Sequence, residues 1–293
     1  METSKKLTNL QAVRDSSSRL VKNGIDDNSA QFVFMQRKNW TLTDWLNRMN
    51  DEITHDDLIQ LRKDEAKLYN HVPVQYVLGY ADFYSRIFKV SSDTLIPRPE
   101  TEELVAKALS CGDEKLPMNV VDIGTGSGVI GITLALNRPQ WKVWATDISL
   151  GALRVAQENA KDLNANVHFA MGDVLLPFMP PFRHDDDLEM FDMIISNPPY
   201  ISEAELDDMD ESVKKYEPEN ALFADDDGLA IYKRLAKQAP YVLKQNGVIL
   251  LEIGFRQGLA VKEIFAKEFP TRKVEVLKDM AGLDRIVFVH PID

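Results

Sequence analysis

Four consecutive residues, Asn197-Pro198-Pro199-Tyr200, put an amide, two prolines and a phenol in one short stretch. The prolines fix two φ angles and carry no N–H, so the stretch is stiff and its carbonyls are left to accept hydrogen bonds. The Asn197 carboxamide oxygen and the Pro198 carbonyl can accept both hydrogens of one planar –NH2 group, and Tyr200 can stack on that plane. An amide or exocyclic amine held this way turns its nitrogen toward an electrophilic carbon. Binding the hydrogens instead of abstracting them favours pyramidalisation, so no strong base is needed. Such catalysis is mainly positioning and electrostatics.

A second constellation lies upstream. Asp122-Ile-Gly124-Thr125-Gly126-Ser127-Gly128 follows the apolar run Val120-Val121, as a strand-to-helix turn would. Glycine allows positive φ and close approach of a ligand to the backbone, and the helix after the turn offers free N–H groups. Val129 stands where a dinucleotide fingerprint would have its last glycine, and the Gly-Lys-Ser/Thr ending of a phosphate loop is missing. Asp147 ends the next apolar run, 19 residues past Gly128, where a carboxylate can accept both hydroxyls of a ribose. The alternative is a helix N-cap, because Asp147-Ile-Ser149 precedes a helical pattern. Gly172-Asp173 follows the third run and is placed to meet an adenine ring or its amino group. Three such features after three successive strands fit an adenosine ligand without phosphates, such as S-adenosylmethionine.

These residues require an alternating framework, and the pattern supplies one. Pro99 to Leu109 predicts a helix with proline and acids in its first turn. Strands are expected at Asn119–Ile123, Lys142–Asp147, Asn166–Ala170, Phe191–Ser196, Gly247–Ile253, Val274–Leu277 and Arg285–His290. Helices are expected at 129–136, 150–163, 228–243 and 259–269. The fold class is α/β, a mostly parallel seven-stranded sheet with helices on both faces and the ligand at the carboxyl ends of the strands. Residues 1–75 read as a small helical N-terminal domain, with Thr41 or Thr43 as a helix cap. Residues 76–95 read as a β-hairpin linker in which Tyr76-Val-Leu-Gly-Tyr is the first strand, and 96–293 as the ligand-binding domain.

Residues 1–90 carry 13 Lys and Arg against 12 Asp and Glu, while the remainder carries 21 against 34, a net of −13. Tight grip on a phosphate backbone needs clustered cations, so stable nucleic-acid binding is not expected. No stretch reaches the roughly 18 apolar residues of a membrane span. The single cysteine, Cys111, can form no intramolecular disulfide, and the opening residues lack the apolar core of a signal peptide. A cytoplasmic protein, expected to be a monomer, follows. The five histidines form no metal spacing, and Asp225-Asp226-Asp227 reads as a solvated loop, so no metal is expected.

Taken together, Tyr76-Val-Leu-Gly, Phe83-Tyr, Leu95-Ile-Pro-Arg-Pro-Glu-Thr-Glu102, the glycine turn, Asp147, Asn197-Pro-Pro-Tyr200, Gly228-Leu-Ala-Ile-Tyr and Leu251-Glu-Ile-Gly-Phe-Arg-Gln257 resemble the HemK-type peptide chain release factor N(5)-glutamine methyltransferases. The resemblance covers roughly residues 70–290. It implies a Rossmann-like class I methyltransferase domain with a small helical domain in front for substrate recognition. It further implies methyl transfer from S-adenosylmethionine, leaving S-adenosylhomocysteine, to the glutamine of the Gly-Gly-Gln motif in class 1 release factors, which modulates translation termination. Gly124 to Gly128, Asp147 and Asn197 would contact the cofactor, and Asn197, Pro198, Pro199 and Tyr200 the glutamine, with Asn197, Pro198 and Tyr200 as the catalytic group. N(6)-adenine methylation of nucleic acid, which uses a very similar loop, is the alternative. Two departures stand out. Many relatives carry an aromatic residue just after the aspartate that matches Asp173, where this chain has Val174, which leaves it apolar packing against adenine, and the acidic connection around residues 184–187 is longer than the family leads one to expect.

Overall fold

The computed structural model describes residues 6–112, 116–181, 190–202 and 209–292, so the acidic connection at 184–187 lies outside the described residues. The chain forms two compact units, Met1–Tyr80 with Asp210–Tyr216 and Ala81–Met209 with Glu217–Asp293.

The first unit is built of α1 (Asn9–Val21), α2 (Ser29–Arg37), α3 (Leu42–Arg48), α4 (His55–Tyr69) and α5 (Val74–Leu78). Thr41 is the α3 cap: its hydroxyl accepts from the Asp44 N–H at 3.2 Å while Asp44 accepts from the Thr41 N–H at 3.0 Å. Helix α2 has no counterpart among the expected elements. Its apolar residues crowd together as Phe32-Val-Phe-Met35, but only the stripe Ala30, Val33 and Phe34, at i, i+3 and i+4, is buried in the unit's core, and Phe32 is exposed. Of the stretch expected as the first hairpin strand, residues 76–78 lie instead in the helical turn α5, which Gly79 ends at φ +86°. Arg37, paired with Asp64 at 3.1 Å, donates to the Val77 carbonyl at 2.6 Å. That satisfies a helix-end acceptor which a strand would have offered to a neighbour. A later segment, α9 (Glu211–Tyr216), also belongs to this unit, and the Tyr216 hydroxyl donates to the Asn70 carbonyl at 2.5 Å.

The second unit opens on the hairpin β1 (Tyr80–Phe83) and β2 (Arg86–Lys89). Then follow α6 (Pro99–Ser110), β3 (Asn119–Ile123), α7 (Val129–Asn137), β4 (Lys142–Asp147), α8 (Leu150–Asp162), β5 (Val167–Met171), β6 (Phe191–Ser196), α10 (Glu219–Leu222), α11 (Ala230–Gln238), β7 (Leu243–Glu252), α12 (Gly258–Glu268), β8 (Arg272–Lys278) and β9 (Asp284–Pro291). The seven-stranded sheet has the order β5-β4-β3-β6-β7-β9-β8. Pairings from β5 through β7 are parallel, and β9 runs antiparallel to both β7 and β8. Adjacent side chains of a strand serve opposite faces: Val121 and Ile194 join one apolar cluster with α11 and α12, while Val120 and Met193 join the other with α6 and α7. Helix α11 stops at Gln238, short of the expected 243, and β7 begins at Leu243. Pro240 is the reason, since it has no N–H for a continuing helix and restricts the residue before it. No helix among the described residues is long and apolar enough to cross a membrane.

The chain direction across the sheet reverses between β3 and β6, which makes their carboxyl ends the topological switch point where open α/β sheets bind ligands. Register then aligns the motifs. Ile123 pairs Thr146 on one side and Ser196 on the other, and Asp147 pairs Met171. Gly124, Asp147, Gly172 and Asn197 therefore emerge side by side.

Candidate active site

A cleft of about 330 Å3 lies along this row of strand ends. Residues 124–127, Asp147, Asp173, Val174, Asn197, Pro198 and Pro199 line it, whereas Gly128 and Tyr200 are not on its wall. Gly124 and Gly126 have φ of +67° and +56°, and a Cβ built on either would meet no atom within 4 Å. The backbone there faces open cleft, and the space a side chain would fill is left for a ligand. Gly128 serves packing: its φ is +86°, and a Cβ would lie 2.6 Å from Ile132 Cδ1 and 3.1 Å from Ala156 Cβ. Asp122, fully buried, ties the loop to the helix after it. Its Oδ2 accepts from the Thr125 hydroxyl at 2.6 Å and the Gly131 N–H at 2.9 Å, and its Oδ1 is buried without a partner. Burial first, then the nearby Asp147 charge, pushes the Asp122 carboxyl up to about 7 against the two bonds that favour ionisation.

Asp147 is not the cap of α8. Ser149 is, accepting from the Ala152 N–H at 3.2 Å. The Asp147 carboxylate instead joins two loops, Oδ2 accepting from the Gly126 N–H at 2.9 Å and Oδ1 from the Ser149 N–H at 2.8 Å. Burial raises its pKa, opposed by the backbone N–H groups of Ser149, Gly126 and Ile148. Each oxygen keeps a lone pair for a hydroxyl in the cleft. Asp173 is paired with Arg234 through both oxygens, at 2.7 and 2.5 Å, so its carboxylate comes to the cleft already neutralised. Val174 lies at φ +55°, a genuine outlier for a β-branched residue. It is buried at the cleft, and its carbonyl accepts from the Thr146 hydroxyl at 3.3 Å.

The stiff loop after β6 is anchored at both ends. Ser196 donates to the Ile123 carbonyl at 2.7 Å, fixing the end of β6 to β3. Gln257 donates to the Tyr200 carbonyl at 2.9 Å and accepts from the Gly254 N–H at 3.1 Å. The Tyr200 ring packs against the core, near Gly254, and its burial pushes the phenol up to about 12. Between the anchors, Asn197 Nδ2 donates to the Thr101 hydroxyl at 3.1 Å. That hydroxyl donates in turn to Glu252 Oε2 at 2.8 Å. The carboxamide oxygen is the half of Asn197 left for the cleft.

Pro97-Arg98-Pro99-Glu-Thr-Glu102 does its work through partners distant in sequence. Arg98 pairs with the buried Glu217 at 2.6 Å, Glu102 accepts from the Tyr84 N–H at 2.7 Å, and Thr101 holds Asn197. Of these, the roles of Thr101, Glu217, Arg234, Glu252 and Gln257 escape sequence reasoning. Glu252 left one signal, a carboxylate closing the apolar strand Val248-Ile-Leu-Leu251 at the end where ligands bind. Among the described residues no group of His, Cys, Asp and Glu could hold a metal ion.

Comparison with known proteins matches the Methyltransferase small domain family over residues 103–213 and the PrmC N-terminal domain family over residues 11–79. The chain is 44% identical over 275 residues to the release factor glutamine methyltransferase of Enterococcus faecalis, spanning 94% of this chain and 96% of that protein. It is 41% identical over 284 residues to the protein of the same name in Bacillus subtilis, spanning 96% of each. Among solved structures, a methyltransferase from Pyrococcus furiosus aligns with a TM-score of 0.50 at 16% identity, over 81% of this chain and 98% of that one. At that identity the likeness speaks for the fold alone.

Proposed function

The chain belongs to the release factor glutamine methyltransferases, and on that premise we propose that it methylates the side-chain amide nitrogen of the glutamine in the Gly-Gly-Gln motif of class 1 peptide chain release factors, with S-adenosylmethionine as donor, and so modulates translation termination. The observation that carries this reading is the Asn197 carboxamide. Its Nδ2 is committed to Thr101, which leaves its oxygen to accept, and both Asn197 and Pro198 line the cleft. Two acceptors on a proline-stiffened loop suit a planar –NH2 donor and fix it without abstracting its proton.

The cradle also suits the cofactor. Open space over Gly124 and Gly126 and the two-oxygen acceptor at Asp147 match an adenosine, and no phosphate-binding lysine is present in the loop. When bound, S-adenosylmethionine supplies an electrophilic methyl group on a sulfonium centre. The glycine loop and Asp147 hold the nucleoside, and Val174 lies buried where the base would rest. Asn197 and Pro198 hold the amide hydrogens so that the nitrogen faces the methyl. The helical unit, residues 1–75, is assigned to recognition of the release factor, in keeping with its match to the PrmC N-terminal domain family.

Mass spectrometry of the Gly-Gly-Gln peptide, after incubation of the protein with release factor and S-adenosylmethionine, tests this. One added methyl on the glutamine is expected. Methyl label entering adenine of nucleic acid, with none in release factor, would refute it.

A further inference from the structure

We propose that Thr101 and Glu252 form a buried positioning relay that dictates which end of the Asn197 carboxamide meets the substrate amine. This inference rests on the function proposed above, and it turns on proton counting. A threonine hydroxyl has one hydrogen to give, and Thr101 gives it to Glu252 Oε2 at 2.8 Å. An ionised carboxylate has none to return. Thr101 Oγ1 can then only accept from Asn197, as it does from Nδ2 at 3.1 Å. The amide cannot flip without setting two lone pairs against each other, so Oδ1 stays toward the cleft.

The fold holds this arrangement firmly. Ser196 pairs with Leu251, so Asn197 and Glu252 leave adjacent parallel strands side by side. Thr101 comes from the first turn of α6 and is 2% exposed, and Glu252 is 1% exposed. The Tyr232 hydroxyl donates to the Glu252 carbonyl at 2.7 Å and fixes the backbone beneath the carboxylate. A glutamine in place of Glu252 would fill the same space, but its –NH2 could donate to Thr101 and reverse the polarity of the whole chain of bonds. Such buried networks define one arrangement only when every member is satisfied.

Protonation would cause the same reversal. Arg98 and Glu100 at the start of α6, Tyr200 after β6, Tyr232 on α11 and Arg285 on β9 surround Glu252. Burial outweighs the Thr101 bond and Arg285, and pushes the carboxyl up to about 7. Below that pH a protonated Glu252 can donate to Thr101, which then donates to Asn197 Oδ1 and withdraws the acceptor from the substrate. Turnover should therefore rise with pH through about 7.

The test compares wild type with Thr101→Val, Thr101→Ser and Glu252→Gln, measuring kcat on release factor at saturating S-adenosylmethionine, cofactor affinity by calorimetry, and the pH profile. Thr101→Val and Glu252→Gln should lose about 10- to 100-fold in kcat, by analogy with loss of the hydrogen-bond partners that orient metal-ligating side chains. Cofactor affinity should stay within about threefold, which marks a loss confined to the reacting geometry. Thr101→Ser, which keeps the hydroxyl, should restore turnover, and the rise through neutral pH should be absent from Glu252→Gln. Full kcat in folded Thr101→Val, an unrescued Thr101→Ser, or an unchanged pH profile in Glu252→Gln would overturn the relay. If the valine and glutamine variants do not fold, the side-chain amide resonances of Asn197 in 15N-labelled wild type decide the matter. They should shift with a midpoint near the kinetic one, and a pH-independent signal would overturn the proposal. A wild-type enzyme inactive on release factor would refute the proposed function instead, so the two failures are distinguishable.

Discussion

Replacing Asp147 by asparagine keeps the shape of the side chain and changes only what its two ends can accept. In the native site Oδ1 accepts from Ser149 and Oδ2 from Gly126, and each has a lone pair left for a ribose hydroxyl. An asparagine must point its –NH2 at one of those backbone N–H groups, so one loop contact is lost whichever way it turns. The remaining ribose contacts become neutral. A hydrogen bond to a charged group contributes about 1.5–3 kcal/mol and a neutral one about 0.5–1.5. Two downgraded bonds therefore cost about 2 kcal/mol, or about 30-fold in affinity. Displacement of Gly126 adds to that. Folding should suffer less, because the carboxylate is raised in pKa by burial and the amide relieves that cost. The assay is calorimetric titration of folded Asp147→Asn with S-adenosylmethionine and with S-adenosylhomocysteine, beside a thermal melt. Both affinities should fall together by about 30-fold or more. A dissociation constant within about twofold of wild type would refute the ribose role and leave Asp147 as a brace between two loops.

Asn197→Ala should lower kcat by about 10²–10³, as removal of one preorganised polar contact does elsewhere, with cofactor affinity nearly unchanged; near-wild-type turnover would reduce Asn197 to a turn residue. Gly128→Ala forces a side chain to φ +86° and against Ile132 Cδ1 at 2.6 Å, so a loss of about 2 kcal/mol or more in denaturant unfolding is expected, and an unaltered midpoint would contradict it. Gln257→Ala frees the Tyr200 carbonyl and the Gly254 N–H; kcat/KM on release factor should drop about tenfold through a loosened loop, and an unchanged value would show the loop rigid without the clamp. Asp122, raised to about 7, binds its proton more tightly folded than unfolded, so its contribution is full below the ordinary carboxylate pKa and is lost as pH rises through about 7. Asp122→Asn, with its –NH2 in the place of the unpartnered Oδ1, should flatten the stability–pH curve between about 4 and 7 by a few kcal/mol, and an unchanged slope would rule that assignment out.

What was legible in the sequence is what neighbours along the chain decide. The glycine turn, the two prolines of Asn197-Pro-Pro-Tyr200 and the alternation of strand and helix all act within a few residues, so type and spacing reveal them. Because parallel strands carry their ligands at carboxyl ends, the order of motifs also located the cleft in outline. Local signals failed where distant contacts won. Tyr76-Val-Leu-Gly-Tyr looks like a strand, but its residues 76–78 lie in a helical turn whose Val77 carbonyl is held by Arg37. The site shows the same division. Asn197 is visible from its loop, but the direction of its amide is set by Thr101, 96 residues away, and by Glu252, 151 residues from Thr101. Tyr200 is visible from the same loop, but the packing of its ring against the core is set by residues distant in sequence. Only strand register and burial bring Asn197, Thr101 and Glu252 within hydrogen-bonding distance, and only burial raises the carboxyl of Glu252 toward neutrality. A hydrogen bond has a direction and a protonation state belongs to an environment. Both depend on atoms that meet only when the chain has folded.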